Sequence, residues 1–191
     1  MADKLKLDSR TTALVVIDLQ KGIASMKAEP HEAGIVISNA AKLLDKFRSN
    51  KMPVFLVRVA FSGGDRLNPI TDDQWKAPAQ VPGDWSEFVD ELKPTESDIV
   101  ITKKQWGAFY GTELDLQLRR RGIHTIVLCG IATNYGVEST ARFAYEYGYN
   151  QVFPEDAMSS RSAEAHNASI NFVLKRIGLV RKTEEVLQAL Q

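Results

Sequence analysis

The sequence contains very little cysteine and no excess of charge of either sign, and both absences narrow the class of protein. Its 191 residues include 1 cysteine, Cys129, so neither an internal disulfide bond nor a cysteine-rich metal site can form within the chain. The 24 lysines and arginines balance the 24 aspartates and glutamates, which leaves no basic surplus for a nucleic-acid or anionic-membrane partner. We therefore expect a small-molecule or protein partner and a reducing compartment.

Long apolar segments are also missing. The start of the chain, MADKLKLDSR, lacks the apolar core of about 7–15 residues that a signal peptide needs. No apolar run approaches the ~20 residues of a transmembrane helix. The length and the 44% hydrophobic content suit one globular domain. We predict a single domain over residues 1–191 that is soluble and cytoplasmic, with no membrane partner.

The sequence also lacks several motifs that are typical of metal sites, of cofactor sites and of catalytic nucleophiles. His31, His124 and His166 are scattered without the HxxxH or DxH spacing of a metal site. The glycine-rich segment 130–136 has neither the GxGxxG spacing of a dinucleotide site nor the GK[ST] of a phosphate loop, and the chain has no GxSxG serine elbow. Cys129 lies inside an apolar strand without an adjacent histidine, which predicts a buried, inert thiol. We expect no metal and no cofactor.

The chain does contain apolar runs of strand length that alternate with segments of helical periodicity. This alternation is typical of a parallel sheet covered on both faces. We predict a three-layer, Rossmann-like α/β fold with a central, mostly parallel six-stranded sheet and helices on both faces. The predicted strands are 12–19, 54–59, 99–102, 125–129, 151–153 and 179–181, and the predicted helices are 35–49, 112–122 with Thr112 and Asp115 as its cap, 136–148, 162–176 and 183–190.

Residues 62–97 interrupt the alternation. Glycines and prolines punctuate this segment, which carries Trp75, Trp85 and Phe88, and we expect it to be partly helical near 84–92. So long a segment within a compact domain is often a lid or a binding loop. The alternative is a surface loop held down by its tryptophans.

Polar residues and glycines lie where predicted strands end. Asp18 ends the first strand, Arg58 lies at the end of the second, Lys103 follows the third and Gly130–Gly136 follows the fourth. Ligands of such sheets bind outside the carboxyl ends of the strands. Burial would raise the pKa of Asp18 and a cation such as Lys103 would lower it, which gives a tunable acid or base. The alternative is that Asp18 caps a turn and Lys103 is a solvated loop charge.

The segment from Gly130 to Thr140 reads as a strand-to-helix turn. Its exposed backbone N–H groups could hold an oxyanion or a carboxylate, and the glycines at 130 and 136 would permit a ligand to approach closely. A tight turn without a ligand is the alternative.

Three blocks together resemble the signature blocks of isochorismatase-like hydrolases. They are ALVVIDLQ (13–20), ITKKQWGAFYGTELDLQLRRRGIHTIVLCG (101–130) and GIATNYGVESTARFAYEYGYNQVFPEDAMSS (130–160), and their order and spacing cover essentially the whole chain. Within that superfamily the sequence is similar to the YecD-type subgroup, which likewise has glycine before the Val-Glu-Ser-Thr run.

The resemblance implies site residues. It places the catalytic aspartate at Asp18, the catalytic lysine at Lys103, and Gly136 where most relatives have a cysteine nucleophile. It also implies a cis peptide between Ile131 and Ala132, with the N–H groups of Ala132 and Gly136 facing the substrate.

Glycine at position 136 excludes the covalent mechanism of the amidases in this superfamily, such as nicotinamidase and N-carbamoylsarcosine amidase. The resemblance then points to isochorismatases, which lack the cysteine, protonate an enol-ether carbon from the aspartate and release pyruvate. We expect a cysteine-independent hydrolase of a small carboxylated substrate. Its rivals are hydrolysis of another C–N or C–O bond by direct water attack, and an inactive oligomeric binding protein.

Further roles are assigned to residues near the expected pocket. Arg58 is a candidate for binding a substrate carboxylate, or else a solvated arginine. Trp106 and Tyr135 are candidates for the pocket walls, or else pack against the segment 62–97. The resemblance implies a homo-oligomer, a dimer or larger.

Overall fold

A parallel sheet of seven strands forms the centre of the protein in a computed structural model that describes residues 5–67, 69–73 and 82–190. The strands are β1 (Thr12–Ile17), β2 (Val54–Val59), β3 (Ile99–Lys103), β4 (Thr125–Ile131), β5 (Asn150–Pro154), β6 (Met158–Ser159) and β7 (Leu179–Arg181). Their order is β3-β2-β1-β4-β5-β7, and β6 pairs with the end of β4. The predicted parallel α/β sheet is confirmed. It has one strand more than expected, because the two residues of β6 are too few to show a pattern.

Helices connect the strands. They are α1 (Lys21–Ala24), α2 (Ala33–Ser49), α3 (Leu114–Arg120), α4 (Glu138–Glu146), α5 (Ala163–Ala168), α6 (Lys175–Ile177) and α7 (Thr183–Ala189). A π-helical turn, Thr133–Val137, leads into α4, and a second one, Ser169–Leu174, joins α5 to α6. Short 3-10 helices lie at Asp90–Leu92 and Glu155–Ala157.

The strand order places the helices on both faces of the sheet. The connection from β1 through α2 to β2 runs in one direction across the sheet, whereas the connection from β4 through α4 to β5 runs in the other. Because such crossovers are right-handed, the two helices cover opposite faces. The reversal between β1 and β4 is the point where open α/β sheets bind ligands.

The pattern of apolar residues explains why β1 and α2 form and which of their residues are buried. Every residue of β1 is buried, as expected for a central parallel strand covered on both faces. On α2, the buried positions Val36, Ala40, Leu43, Leu44 and Phe47 recur at helical spacing and pack against the sheet. Burial of each larger apolar side chain contributes roughly 1.5–3 kcal/mol.

Some local predictions need correction. Within 84–92 only Asp90–Leu92 is helical. The cap of α3 is also different: the Thr112 hydroxyl accepts from the N–H of Leu114 at 3.1 Å, but Asp115 instead accepts from the hydroxyl of Tyr149 at 2.7 Å. Trp75 lies outside the described residues. Across the described ranges, no helix has the length and apolar character required to cross a membrane.

Candidate active site

Asp18 lies directly after β1, at the reversal of strand order, and its side chain is 6% exposed. Its backbone has a φ of 53°, in the left-handed region that residues other than glycine seldom adopt. The turn at Asp18 therefore interrupts the alternation of side chains that a continuing strand would impose. Its Oδ1 atom is buried and has no hydrogen-bond partner among the described residues. Such an orphan acceptor at a strand end is suited to a ligand or a transferable proton.

Lys103 ends β3, two strands away from β1, and it still reaches Asp18. Its Nζ atom lies 2.7 Å from Oδ2 of Asp18 and donates a second hydrogen bond to the carbonyl of Gln105 at 3.1 Å. Neighbouring strands are about 4.8 Å apart, so only a long side chain spans the width of β2. Because the lysine side chain is 1% exposed, the alternative of a solvated loop charge is wrong.

Burial controls the ionisation of this pair. Desolvation raises the pKa of Asp18 from 3.8 to about 6, although the ammonium group of Lys103 acts in the opposite direction through charge and hydrogen bonding. An aspartate in this state is a stronger base than an exposed one, and its acid form persists to higher pH. Both properties suit acid–base chemistry near neutral pH.

The turn after β4 faces the pair. A cis peptide joins Ile131 to Ala132, where the family resemblance placed it. Gly130 has a φ of 123°, and a Cβ atom there would lie 2.0 Å from the carbonyl oxygen of Ile17. Only glycine permits this contact between the ends of β1 and β4. The turn is therefore held directly against the chain at Asp18.

Gly136 lies in the π-helical turn next to the carboxylate. A Cβ atom at this position would lie 3.0 Å from Oδ2 of Asp18 and 2.9 Å from Cγ2 of Ile17, closer than ordinary van der Waals contact. A side chain at position 136 would thus point at Asp18. The hydroxyl of Thr140 donates to the Gly136 carbonyl at 2.6 Å and accepts from the N–H of Ala108 at 3.1 Å, which ties the turn to the segment after β3.

Trp106 and Tyr135 come from the two segments that meet at this point. Their rings are in contact, with a centroid separation of 4.8 Å. Trp106 is 63% exposed and Tyr135 is 40% exposed. The alternative in which they pack against the segment 62–97 falls partly on residues 74–81, which lie outside the described residues. An exposed aromatic pair beside a buried carboxylate is suited to contact with a ligand.

Arg58 is placed differently. Its Nε atom donates to the Thr102 hydroxyl at 3.2 Å, and its guanidinium lies 6.0 Å from the ring centroid of Phe88. Arg58 pairs with Thr102 in the sheet and Val59 pairs with Lys103, so the side chains of Arg58 and Lys103 leave opposite faces. The structure thus brings together Asp18, Lys103, Gly136, Trp106 and Tyr135, while Arg58 contacts other residues.

Gln20 is a site-forming residue that the sequence analysis missed. Its buried side chain accepts from the N–H of Val59 at 2.9 Å and donates to the carbonyls of Val59 and Trp85 at 3.1 and 3.2 Å. The ring of Trp85 occupies the space where Gly22 would have a side chain. The part of the 62–97 segment around Trp85 is therefore anchored beside Asp18. A glutamine two residues after Asp18, directly after the predicted first strand, was the available signal.

The structure agrees with the prediction for the cysteine but not with the prediction that the histidines are scattered. Cys129 is fully buried, so the prediction of a buried thiol is confirmed, and desolvation raises the pKa of this thiol to about 12, which disfavours the reactive thiolate. The histidines are less scattered than the sequence suggested, because His31 and His166 lie together with Glu155. Long-range packing brings His31 to this cluster, 124 residues from Glu155 in sequence.

Comparison with known proteins identifies relatives of the whole chain. Residues 12–185 match the isochorismatase domain. The chain is 56% identical to the uncharacterized isochorismatase family protein YecD of Escherichia coli O157:H7, over 97% of this chain and 100% of that protein. An isochorismatase family protein from Burkholderia thailandensis has a similar structure, with a TM-score of 0.92, 44% identity and coverage of 98% and 99% of the two chains. N-carbamoylsarcosine amidase from Thermoplasma acidophilum superposes with a TM-score of 0.74 and 29% identity, over 91% of this chain and 97% of that one.

Proposed function

Because the chain belongs to the isochorismatase family of hydrolases, we propose that it cleaves an enol ether or similar bond of a small carboxylated substrate without a covalent enzyme intermediate. In this proposal Asp18 is the acid and base, and Lys103 positions it and stabilises its charge. The observation that supports it most strongly is the buried Asp18 carboxyl, held by Lys103 at 2.7 Å through one oxygen while the other has no partner among the described residues.

The first step is transfer of the Asp18 proton to the terminal carbon of the enol ether. The double-bond electrons form the new C–H bond, and the positive charge that results is shared with the ether oxygen. The Asp18 carboxylate that remains is stabilised by the Lys103 ammonium group, which lies within hydrogen-bond distance. A desolvated carboxyl suits this step, because its acid form persists to about pH 6.

Water then adds to the cationic carbon, and Asp18 takes the proton that the water loses. The hemiketal collapses as its hydroxyl proton passes to the leaving oxygen, which yields an alcohol and a keto acid. Water supplies both the new oxygen and the proton that restores Asp18. No thiol takes part.

Gly136 affects this arrangement in two ways. It provides no nucleophile, and its missing side chain leaves room for the Asp18 carboxylate, from which a Cβ atom would be 3.0 Å away. We propose that the N–H groups of Ala132 and Gly136 hold a substrate oxygen, and that Trp106 and Tyr135 form the wall of the pocket. Arg58 is the proposed carboxylate ligand, a role that requires its guanidinium to leave Thr102 and to reach past the end of the sheet from the face opposite Lys103.

The proposal is tested by hydrolysis of isochorismate in H₂¹⁸O. We expect wild-type protein to release pyruvate, and we expect the ring alcohol to retain its original oxygen, because water adds on the pyruvyl side. Asp18→Asn should lower kcat by about 10²–10⁴-fold, the usual contribution of a general acid or base. Incorporation of ¹⁸O into the ring alcohol would contradict the mechanism.

The same protein should be tested against amides and carbamoyl compounds. If the protein hydrolyses these compounds but no enol ether, its reaction is direct water attack on a C–N bond and the enol-ether proposal is wrong. No turnover on the whole panel, together with no ligand-induced rise in melting temperature, would overturn the enzyme proposal in favour of an inactive binding protein.

We also propose that the chain forms a homo-oligomer. Large aromatic side chains are exposed on and near α4 and on the helical segment after α5, where Tyr145 is 53% and Phe172 is 75% exposed. Exposed apolar surface of this kind is often covered in an assembly. Light scattering after size-exclusion chromatography would decide the point, and a strictly monomeric mass at micromolar concentration would contradict it.

A further inference from the structure

His31, Glu155 and His166 form a cluster of side chains that includes neither Asp18 nor Lys103. His31 precedes α2, Glu155 follows β5, and His166 lies in α5. Nε2 of His31 lies 3.0 Å from Oε2 of Glu155, and Nε2 of His166 lies 4.0 Å from the same oxygen. One nitrogen from each histidine and one oxygen from the carboxylate lie within 4.8 Å of one another. His31, more than 100 residues before the other two in sequence, thus presents its nitrogen to the point where Glu155 and His166 already meet.

The donor set has the chemistry of a transition-metal site. Two imidazole nitrogens and one carboxylate oxygen are ligands typical of Zn²⁺ and related divalent ions, which bind them at about 2.0–2.2 Å. Donor atoms 3 to 5 Å apart require only small side-chain movements to reach a common ion at that distance.

The surroundings orient these donors. Nδ1 of His166 lies 2.9 Å from the Thr133 hydroxyl. We assign the tautomer in which Nδ1–H donates to this hydroxyl, because it leaves the Nε2 lone pair facing Glu155. Metal-binding histidines typically hold their second ring nitrogen in this way. The other Glu155 oxygen pairs with Lys182, which leaves Oε2 for the cluster. The backbone N–H of His31 donates to the Ser159 hydroxyl at 3.3 Å.

We propose that His31, Glu155 and His166 bind a divalent transition-metal ion of the Zn²⁺ class, with solvent completing the coordination. The proposal is independent of the enol-ether chemistry. The site lies against the turn that carries Ala132 and Gly136, because Thr133 belongs to that turn and contacts His166. A bound ion would join the loop before α2, the end of β5 and α5, and would brace the turn from behind the active site.

The first experiment uses tag-free wild-type protein that has been treated with a chelator and dialysed. Titration with ZnCl₂ in a calorimeter should show one ion per chain, and CoCl₂ should give the visible absorption of four- or five-coordinate Co²⁺. In ¹⁵N spectra of the imidazole rings, Zn²⁺ should shift the signals of His31 and His166 but not those of exposed His124. This comparison requires no variant to fold.

Variants then test the individual ligands. Bound Zn²⁺ should raise the melting temperature of the wild-type protein. His31→Ala and Glu155→Gln should each weaken Zn²⁺ binding at least tenfold and reduce that rise. Thr133→Val should weaken binding about 10–100-fold, the usual effect of losing a residue that orients a ligand. His124→Ala is the matched control and should bind as wild type does. The proposal is overturned by no stoichiometric uptake, by uptake that the His31 and Glu155 variants leave unchanged, or by equal shifts of all three histidine signals.

Discussion

Replacement of Gly136 by alanine tests how closely the turn fits the Asp18 carboxylate. The added methyl group would lie 3.0 Å from Oδ2 of Asp18 and 2.9 Å from Cγ2 of Ile17, where 3.4–4 Å is ordinary contact. The carboxylate would have to move by about 0.5 Å, and misplacement of a catalytic group by about 1 Å can cost 10²-fold in rate. We expect kcat/KM on whichever substrate the protein turns over to fall by about tenfold or more.

Stability should change little in the same variant. The backbone of Gly136 is not in the left-handed region, and alanine favours helical structure over glycine by about 1 kcal/mol. Gly34→Ala, at an exposed position of α2 where a Cβ atom meets nothing within 4 Å, is the matched control and should retain wild-type activity. A Gly136→Ala protein with unchanged kcat/KM would refute the argument that this glycine makes room for the working carboxylate.

Substitutions at three buried positions, Lys103, Gly130 and Cys129, test the same geometry further. Lys103→Met removes the cation that lowers the pKa of Asp18, so the midpoint of the pH–rate profile should move upward from about 6 by about 1–3 pH units; a downward move would contradict the stated causes. Gly130→Ala should lower the free energy of unfolding in urea by at least about 3 kcal/mol, because its Cβ atom would meet the carbonyl of Ile17 at 2.0 Å, and wild-type stability would count against this contact. Cys129→Ala should leave kcat unchanged, because the thiol is buried with a pKa of about 12, and lower stability by about 1 kcal/mol; a loss of turnover would show that the thiol takes part.

Hydrophobic patterns carried most of the fold prediction. The limits predicted for the second and last strands match β2 and β7, since apolar runs of strand length with β-branched residues leave little choice. β6 escaped prediction because two residues show no period, and its pairing to β4 depends on tertiary structure. The predicted cap of α3 was wrong because the Asp115 carboxylate accepts a hydrogen bond from Tyr149, which is 34 residues away in sequence.

The candidate site was predictable only in part. Asp18, Lys103 and Gly136 could be predicted as site residues because they lie at strand ends and because the sequence resembles a known family. The left-handed backbone at Asp18 and the burial of Lys103 depend on how β1, β2 and β3 are placed, which no local pattern shows. The cluster of His31, Glu155 and His166 escaped prediction because long-range packing brings His31 to a pair that is 11 residues apart in sequence. The prediction of one domain over residues 1–191 stays a prediction, although the described strands all belong to one sheet.

Asp18 works, in the proposed function, as a buried acid and base. The most direct test of this role is a ¹³C NMR titration of aspartate side-chain carboxyls, with the Asp18 signal assigned by its loss in Asp18→Asn, and with kcat/KM measured over the same pH range. Because burial raises the pKa, the acid form should persist up to about pH 6, and the rate should fall about tenfold per pH unit above that midpoint. An Asp18 carboxyl that titrates near 3.8, or a rate that does not follow its titration, would contradict the account.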